Sequence, residues 1–185
     1  MEKCPDSCAK KRGGLCSLIF SHFFPDEYPD SAYGIDFEAF YEKGMRGVIF
    51  DIDNTLVPHG APADKRALLL FERLRKIGYQ TMLLSNNKEP RVQSFAEEVQ
   101  TAYLYKAGKP KRAGYLQAME RMGTTRATTL FVGDQLFTDV WGAKRSGIYA
   151  VLVKPIHPKE EIQIVLKRYL ERVVLYFYRK EMQDR

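Results

Sequence analysis

The sequence predicts an α/β fold in which a central parallel β-sheet carries helices on both faces. Short apolar runs alternate along the chain with longer segments whose apolar residues recur at helical spacing. Several of these apolar runs end in polar residues, and parallel sheets place ligand sites at the carboxyl ends of their strands. Alternating strands and helices imply right-handed crossovers, which cover both faces of the sheet.

Composition indicates one globular domain with a basic surface. The chain has 185 residues, of which 28% are charged and 45% are hydrophobic, so it has ample apolar material for a core. Its formal net charge is +6, which favours anionic partners such as phosphorylated substrates, anionic lipid or nucleic acid. No run approaches the roughly 18 apolar residues of a membrane-spanning helix. We therefore do not expect the chain to span a bilayer, although it could lie on one.

Residues 1–20 are predicted to form a flexible arm, and residues 21–180 to form the folded domain, because the first residues are mostly polar. The apolar segment 15–24 could be a surface-seeking anchor or an arm that packs on the domain. The chain has three cysteines, all in the arm: Cys4, Cys8 and Cys16. Their spacing matches no familiar zinc pattern, and an odd number argues against a disulfide framework. We interpret them as free thiols in a reducing compartment, with no assigned role.

The strands are predicted from short runs of β-branched, aromatic and aliphatic residues. The run Val48-Ile49-Phe50 is the clearest case, because it ends abruptly in charged residues. Buried parallel strands are apolar on both faces, which explains why these runs do not alternate with polar residues. The predicted strands are residues 48–50, 80–84, 101–104, 129–132 and 149–153.

The helices are predicted from apolar residues at intervals of three and four and from capping residues. Residues 64–77 place Leu70 and Leu74 on one face and end at Gly78, a residue type that commonly ends helices. Pro90 suits the first turn of the next helix. The predicted helices are residues 36–41, 64–77, 90–99, a segment from Pro110 to 122, a short helix near 142–147, and an amphipathic helix at about 159–180.

Two carboxylates, Asp51 and Asp53, lie directly after the first strand. They would project into the crevice at the carboxyl edge of the sheet, although a simple Asx turn would place the same residues there. Polar residues after the other strands favour a functional site over a turn. The polar groups at this edge are Asp51, Asp53, Ser85, Asn86, Lys109, Asp134 and Asp139.

These residues and their order resemble the haloacid dehalogenase (HAD) superfamily of aspartate-nucleophile phosphatases. The four motifs of that superfamily are D-x-D-x-T, a Ser or Thr, a Lys, and an acidic pair, and they are matched here by Asp51-x-Asp53-x-Thr55, Ser85, Lys109, and Asp134 with Asp139. The resemblance covers residues from about 20 to 180. Within the superfamily, the sequence is similar to the YqeG-type branch of HAD subfamily IIIA, and that branch resembles the phosphatidylglycerophosphate phosphatases. It implies a Rossmannoid three-layer sandwich. The segments that carry it are residues 24–28, 51–57, 84–87, 105–110 and 133–140.

The resemblance implies a role for each matched residue. Asp51 would be the nucleophile that forms an aspartyl-phosphate, and Asp53 would protonate the leaving alkoxide and later activate water. Ser85 and the amide hydrogens near Asn86 would bind the transferring phosphoryl oxygens. Lys109 would neutralise charge and keep Asp51 ionised.

The resemblance also implies a Mg²⁺ site. Its ligands would be Asp51, the main-chain carbonyl of Asp53, and Asp134, because Mg²⁺ is a hard cation that takes oxygen ligands. Thr55 would brace the motif loop. Asp139 could orient the motif lysine or bind the metal through water, and the sequence favours neither alternative.

Non-functional explanations exist for some of these residues. Ser85 could cap a helix, Lys109 could be a solvated loop charge, and Asp139 could be a favourable charge near a helix N-terminus. The complete set makes these explanations together much weaker than the catalytic one.

HAD enzymes usually select substrates with a cap inserted after the first or third strand. Here those loops, residues 57–63 and 105–108, are short, so we expect a capless protein with an open site. An open site suits a lipid in a bilayer or a macromolecule, and a homo-oligomer could otherwise supply the missing wall. The predicted helix at 159–180 combines apolar and basic residues, so it could lie on an anionic membrane, close the sheet's exposed face, or do both.

We therefore expect a Mg²⁺-dependent phosphomonoester hydrolase, with phosphatidylglycerophosphate as the preferred substrate and a place in phospholipid biosynthesis. A HAD phosphatase of a soluble metabolite or phosphorylated macromolecule is the first alternative. A non-catalytic binding module for nucleic acid or a protein is the second, and basic residues without interleaved aromatics disfavour nucleic acid. The expected location is the cytoplasm or the cytoplasmic face of the membrane, or the mitochondrial matrix or plastid in a eukaryote.

Overall fold

Five parallel strands form the centre of the fold. The computed structural model of the protein describes residues 20–157 and 162–183. The strands are β1 (Gly47–Phe50), β2 (Gln80–Leu84), β3 (Ala102–Leu104), β4 (Thr129–Gly133) and β5 (Tyr149–Leu152). They pair in the order β3-β2-β1-β4-β5, all parallel. The predicted strands are thus confirmed to within one residue at each end, and the fully buried strand β1 lies at the centre.

Six helices connect and flank these strands in the described part of the chain. Asp64 caps α2 by accepting a hydrogen bond from the Ala67 N–H at 2.9 Å, and Gly78 ends it with a left-handed φ of 108°. The helices are α1 (Phe37–Glu42), α2 (Lys65–Ile77), α3 (Glu89–Val99), α4 (Arg112–Met122), α5 (Trp141–Arg145) and α6 (Ile162–Gln183). The predicted start of α6 at 159 lies outside the described residues.

Alternate residues of each strand enter two separate hydrophobic cores. Val48 and Phe50 pack into the core beneath α1, α2 and α3, whereas Ile49 packs into the core beneath α4, α5 and α6. All three side chains are fully buried. Burial on both faces explains the continuous apolar run in the sequence, and the predicted three-layer sandwich is confirmed.

The N-terminal segment packs on the domain where the structure describes it. Phe20 stacks on Phe177 of α6 with ring centroids 5.6 Å apart, and Phe24 makes an edge contact with Tyr178 at the same distance. Residues 20–24 therefore have the packing role that was one of the two alternatives. Residues 1–19, which include the three cysteines, lie outside the described residues.

A short extended segment covers the exposed edge of β5. The Asp26 N–H donates to the Ala150 carbonyl at 2.8 Å, and the Leu152 N–H donates to the Glu27 carbonyl at 3.0 Å. The Asp26 carboxylate also pairs with Lys144 at 2.6 Å. These bonds satisfy an edge that would otherwise be open to pairing with another chain.

Helix α6 closes one face of the sheet. Val174 is buried in the second core, and the Glu171 carboxylate accepts a hydrogen bond from the Leu136 N–H at 2.7 Å. This packing confirms one of the two roles predicted for the segment. Over residues 20–157 and 162–183, none of the helices combines the length and apolar character needed to cross a membrane.

Gly142 of α5 lies against the buried ring of Tyr115. A Cβ atom at this position would lie 2.4 Å from the Tyr115 hydroxyl oxygen, which is far closer than van der Waals contact. Overpacking of this kind outweighs the helix propensity gained by alanine. We expect Gly142→Ala to lower the free energy of unfolding by about 1–3 kcal/mol in urea denaturation.

Gly34→Ala is the matched control for this prediction. A Cβ on Gly34 would have nothing within 4 Å, and its φ is not left-handed. Its free energy of unfolding should stay within about 0.5 kcal/mol of the wild-type value. A Gly142→Ala protein as stable as the Gly34→Ala protein would show that the Tyr115 contact is not tightly packed.

Candidate active site

The first strand delivers its two carboxylates into a tight turn. The Asp51 N–H continues the sheet by donating to the Val132 carbonyl at 2.9 Å. Asn54 then adopts a left-handed φ of 65°, which Asn tolerates better than most residues. The turn carries Asp51 to the end of the sheet in a buried position and brings Thr55 back towards it.

Lys109 lies between two buried carboxylates. Its ammonium group donates to Asp51 Oδ1 at 2.6 Å and to Asp139 Oδ1 at 2.7 Å. The lysine side chain is only 4% exposed, so it is not a solvated loop charge. Burial alone would lower the pKa of Lys109, but the two carboxylates outweigh burial and raise it, so the lysine is cationic at neutral pH.

The surroundings of Asp51 act on its pKa in opposite directions. Burial raises the pKa of Asp51 to about 6, Lys109 opposes this rise, and the negative charge of Asp139 adds to it. The carboxylate is therefore ionised at neutral pH, as a nucleophile requires. Its ionisation depends on the neighbouring lysine.

Three carboxylates form a cluster that could hold a metal ion. One oxygen from each of Asp51, Asp134 and Asp139 lies within 4.8 Å of the other two, and all three residues are buried. The Thr55 hydroxyl is 3.1 Å from Asp134 Oδ1 and 3.4 Å from Asp51 Oδ2, so it links two of them. The single charge of Lys109 does not balance this cluster, and a divalent cation with oxygen ligands fits the excess negative charge.

Asp139 lies in a π-helical turn, Leu136–Val140, that the sequence did not predict. Its second carboxylate oxygen accepts a hydrogen bond from the Gln135 N–H at 3.0 Å. A Cβ on Gly133 would lie 2.6 Å from the same oxygen, so only glycine leaves room for this carboxylate. The contact with Lys109 is one of the two roles predicted for Asp139, and its place in the acidic cluster is compatible with the other. π-Helical turns frequently occur at functional sites.

The turn after β2 contributes Ser85 and Asn86. The Ser85 hydroxyl oxygen is buried and accepts a hydrogen bond from the Asn87 N–H at 3.1 Å. The Asn86 side chain accepts from the Lys109 N–H at 2.7 Å and donates to the Lys109 carbonyl at 3.1 Å. The Asn86 side chain therefore fixes the backbone of the lysine, which sequence reasoning did not anticipate.

Asp53 is held by three donors at the mouth of the site. Its carboxylate accepts from the Gly60 N–H at 2.8 Å, from Asn87 Nδ2 at 3.2 Å and from Arg91 Nη2 at 3.1 Å. Burial raises the pKa of Asp53, but the Gly60 hydrogen bond and the Arg91 charge outweigh burial and lower it. Sequence reasoning missed Asn87 and Arg91. An arginine in the first turn of a helix is unfavourable with the helix dipole. This unfavourable placement was the one feature of the sequence that could have marked Arg91 as functional.

Removing the charge of Lys109 tests the electrostatics of this cluster. Lys109→Met leaves Asp51 and Asp139 buried without their cation, so we expect the metal-free protein to lose about 3–5 kcal/mol of stability at pH 8. A carboxyl group whose pKa is higher in the folded than in the unfolded chain binds its proton more tightly in the folded state. It therefore stabilises the fold below about pH 4, and this contribution is lost as the pH rises through the folded-state pKa. Lys109 lowers the pKa of Asp51, so its removal should raise that pKa further, and the stability deficit of the variant should be smaller at pH 5 than at pH 8.

Urea denaturation at both pH values, with EDTA present, measures this effect. Lys144→Met is the control, because Lys144 makes an ion pair of the same 2.6 Å length with Asp26 but is 31% exposed. Its loss should be about 1 kcal/mol or less. Equal losses in the two variants would contradict a special role for burial at Lys109.

Comparison with known proteins agrees with this geometry. A family model described as haloacid dehalogenase-like hydrolase matches residues 63–147. A Bacillus subtilis (strain 168) protein named "Probable phosphatase YqeG" is 34% identical over 159 residues, which cover 85% of this chain and 92% of that protein. Phosphatidylglycerophosphate phosphatase 1, chloroplastic/mitochondrial, from Arabidopsis thaliana is 30% identical over 154 residues, or 76% of this chain. The match spans only 44% of the Arabidopsis protein.

A solved structure supports the fold independently. The crystal structure of a HAD phosphatase from Thermococcus onnurineus aligns with a TM-score of 0.50 at 17% identity, covering 64% of this chain and 90% of that one. Three findings point to the same family. They are the sheet order, the acidic cluster at the carboxyl edge of the sheet, and the similarity to the YqeG protein over most of both chains. The chain belongs to the haloacid dehalogenase-like hydrolases, as a phosphatase of the YqeG type that hydrolyses phosphoric monoesters.

Proposed function

We propose that this phosphatase is Mg²⁺-dependent, uses Asp51 as its nucleophile and removes the terminal phosphate of phosphatidylglycerophosphate. The observation that carries the proposed chemistry is the buried contact between Asp51 and Lys109 at the end of the central strand. It keeps the carboxylate ionised at the carboxyl edge of the sheet. The substrate assignment rests on further observations, given below.

The proposed reaction has two displacements. Asp53 is ionised in the free protein, and a phosphate anion bound beside it would favour its taking up a proton. Asp51 attacks the phosphorus, the bond from phosphorus to the leaving oxygen breaks, and that proton passes from Asp53 to the leaving oxygen. Asp53 then accepts a proton from water, the resulting hydroxide attacks the aspartyl-phosphate, and Asp51 and inorganic phosphate are released. Asp53 thus acts first as a general acid and then as a general base, a role that contributes about 10²- to 10⁴-fold.

The remaining groups bind the phosphoryl oxygens and position the reacting groups. Ser85 and the main-chain amides near Asn86 would donate to the transferring phosphoryl group, and Lys109 would neutralise developing charge. Bound Mg²⁺ would offset the repulsion between the nucleophile and the anionic substrate. Asp51, Asp134 and the Asp53 carbonyl would hold it.

Three observations support a lipid substrate. The chain is similar to phosphatidylglycerophosphate phosphatase 1 over 76% of its length. The loops after β1 and β3, residues 51–64 and 105–111, are too short to form a cap, so the site is open to a bulky substrate. The third observation is the outer face of α6.

The outer face of α6 has the character of a membrane-contacting surface. Tyr169, Val173, Tyr176 and Lys180 recur at helical spacing, and all four are exposed. Arg172 is also exposed, with its guanidinium 5.2 Å from the Tyr169 ring centroid. Apolar side chains beside basic ones suit the boundary between acyl chains and anionic headgroups, where each basic residue is worth about 1 kcal/mol.

Replacing the proposed nucleophile tests the mechanism. Asp51→Asn should reduce phosphate release from phosphatidylglycerophosphate in mixed micelles with Mg²⁺ by at least about a thousandfold, because an amide cannot form the acyl phosphate. The parallel substrates are soluble phosphomonoesters, and the urea unfolding midpoint establishes that the variant folds. Retained turnover in the folded variant would overturn the nucleophile assignment. Wild-type activity on soluble esters alone would remove the lipid assignment.

Two acidic substitutions test the proposed membrane surface. Val173→Glu together with Tyr176→Glu should weaken binding to phosphatidylglycerol vesicles by at least about tenfold, because the change removes apolar contact and adds repulsion. Leu69→Glu is the control, since Leu69 is also exposed, at 54%, but lies on α2. Vesicle co-sedimentation measures binding. Equal binding by all three proteins would exclude α6 as the contact surface.

A further inference from the structure

Arg91 places a cation on the leaving-group side of the site. Its Nη2 donates to Asp53 Oδ1 at 3.1 Å, and its side chain is 18% exposed. Under the proposed mechanism Asp51 meets the phosphorus, whereas Asp53 meets the leaving oxygen. A group that contacts Asp53 at the mouth of the site is therefore close to whatever is attached to that oxygen.

The guanidinium of Arg91 has donors to spare. Among the described residues, Asp53 is the one hydrogen-bond acceptor of this side chain, and the buried Nε–H has none. A guanidinium carries five N–H donors. Asp53 itself also accepts from Gly60 and Asn87, so it does not depend on the arginine alone. The arginine can therefore bind a second anion while Asp53 keeps its other hydrogen-bond donors.

The position of Arg91 argues against a purely structural role. It lies in the first turn of α3, where the helix dipole disfavours a positive charge. It also lies above the Phe95 ring, with its guanidinium carbon 5.5 Å from the ring centroid. Lys109, in contrast, is already engaged by two carboxylates within the site.

We propose that Arg91 binds a second anionic group of the substrate, namely a phosphodiester separated from the scissile phosphate by one glycerol unit. An arginine fork matches two phosphate oxygens at once, which a lysine cannot do. Phosphatidylglycerophosphate carries a phosphodiester at this separation. The inference rests on the proposed function, because it takes Asp53 as the leaving-group acid.

Two water-soluble substrates test the proposal without a membrane. Glycerol 3-phosphate has the same leaving glycerol but no second phosphate, whereas the deacylated headgroup, glycerophosphoglycerol phosphate, has both. Wild-type enzyme should prefer the headgroup in kcat/KM. Arg91→Gln should reduce that preference by about 10- to 100-fold, mainly through KM, because a hydrogen-bonded charge pair has about this worth. The preference of the Arg91→Lys variant should lie between those of the wild-type enzyme and Arg91→Gln.

Arg73→Gln is the matched control. Arg73 forms an ion pair with Glu38 on α1 and lies near the C-terminal end of α2, at the opposite edge of the sheet. Its removal changes the net charge equally and should leave the ratio of the two kcat/KM values unchanged. The unfolding midpoint of each variant checks that it folds.

The outcomes separate this proposal from the proposed function. Equal losses on both substrates in Arg91→Gln would mean that Arg91 acts only through Asp53, and would overturn the second-anion site. A wild-type enzyme without preference between the two substrates would do the same. A third outcome is a preference for the headgroup over glycerol 3-phosphate that depends on Arg91, without activity on the lipid in micelles. That outcome would support the second-anion site and contradict the lipid assignment.

Discussion

The ion pairs of Lys109 hold the site together. Two buried carboxylates, Asp51 and Asp139, share this one cation, and without it two negative charges would lie close together in the interior with no lysine between them. The rest of the surroundings keep the three groups in place: Asn86 binds the lysine backbone from the turn after β2, and Tyr115 of α4 donates its hydroxyl to the Thr138 carbonyl, beside Asp139. The turn after β2 and helix α4 thus both help to hold this charged contact in place.

The parts of the fold that follow from local pattern were predictable from the sequence. Apolar runs give the strands, and parallel strands necessarily bring the residues at their carboxyl ends to one edge, so the proximity of Asp51, Ser85 and Asp134 could be foreseen. The contact between Asp53 and Arg91 could not, because it joins a loop to a helix with a separation that no periodicity encodes. The π-helical turn was missed for a related reason: it is accompanied by a close approach of Asp139 to Gly133, and such an approach leaves no periodic signal in the sequence.

Helix α6 illustrates a different limit of sequence reasoning. Its apolar residues extend around much of the helix, so the pattern alone could not decide which face enters the core. The structure resolves this through Val174 and the contact of Glu171 with the backbone of Leu136. Once that face is assigned, Tyr169 and Tyr176 are left exposed, and a helix that is apolar on both sides calls for a second partner.

The short loops determine where specificity can come from. An enzyme with a cap can enclose its substrate, whereas here the groups that discriminate lie on the core domain or on a second copy of the chain that completes the site. Under the proposed function, Arg91 would bind the headgroup of the lipid substrate, and the outer face of α6 would contact the bilayer around it. Each interaction would contribute only about 1–3 kcal/mol per charged contact. Because the contributions act on one bound substrate, they combine, and two modest interactions can give the selectivity that a cap would otherwise provide.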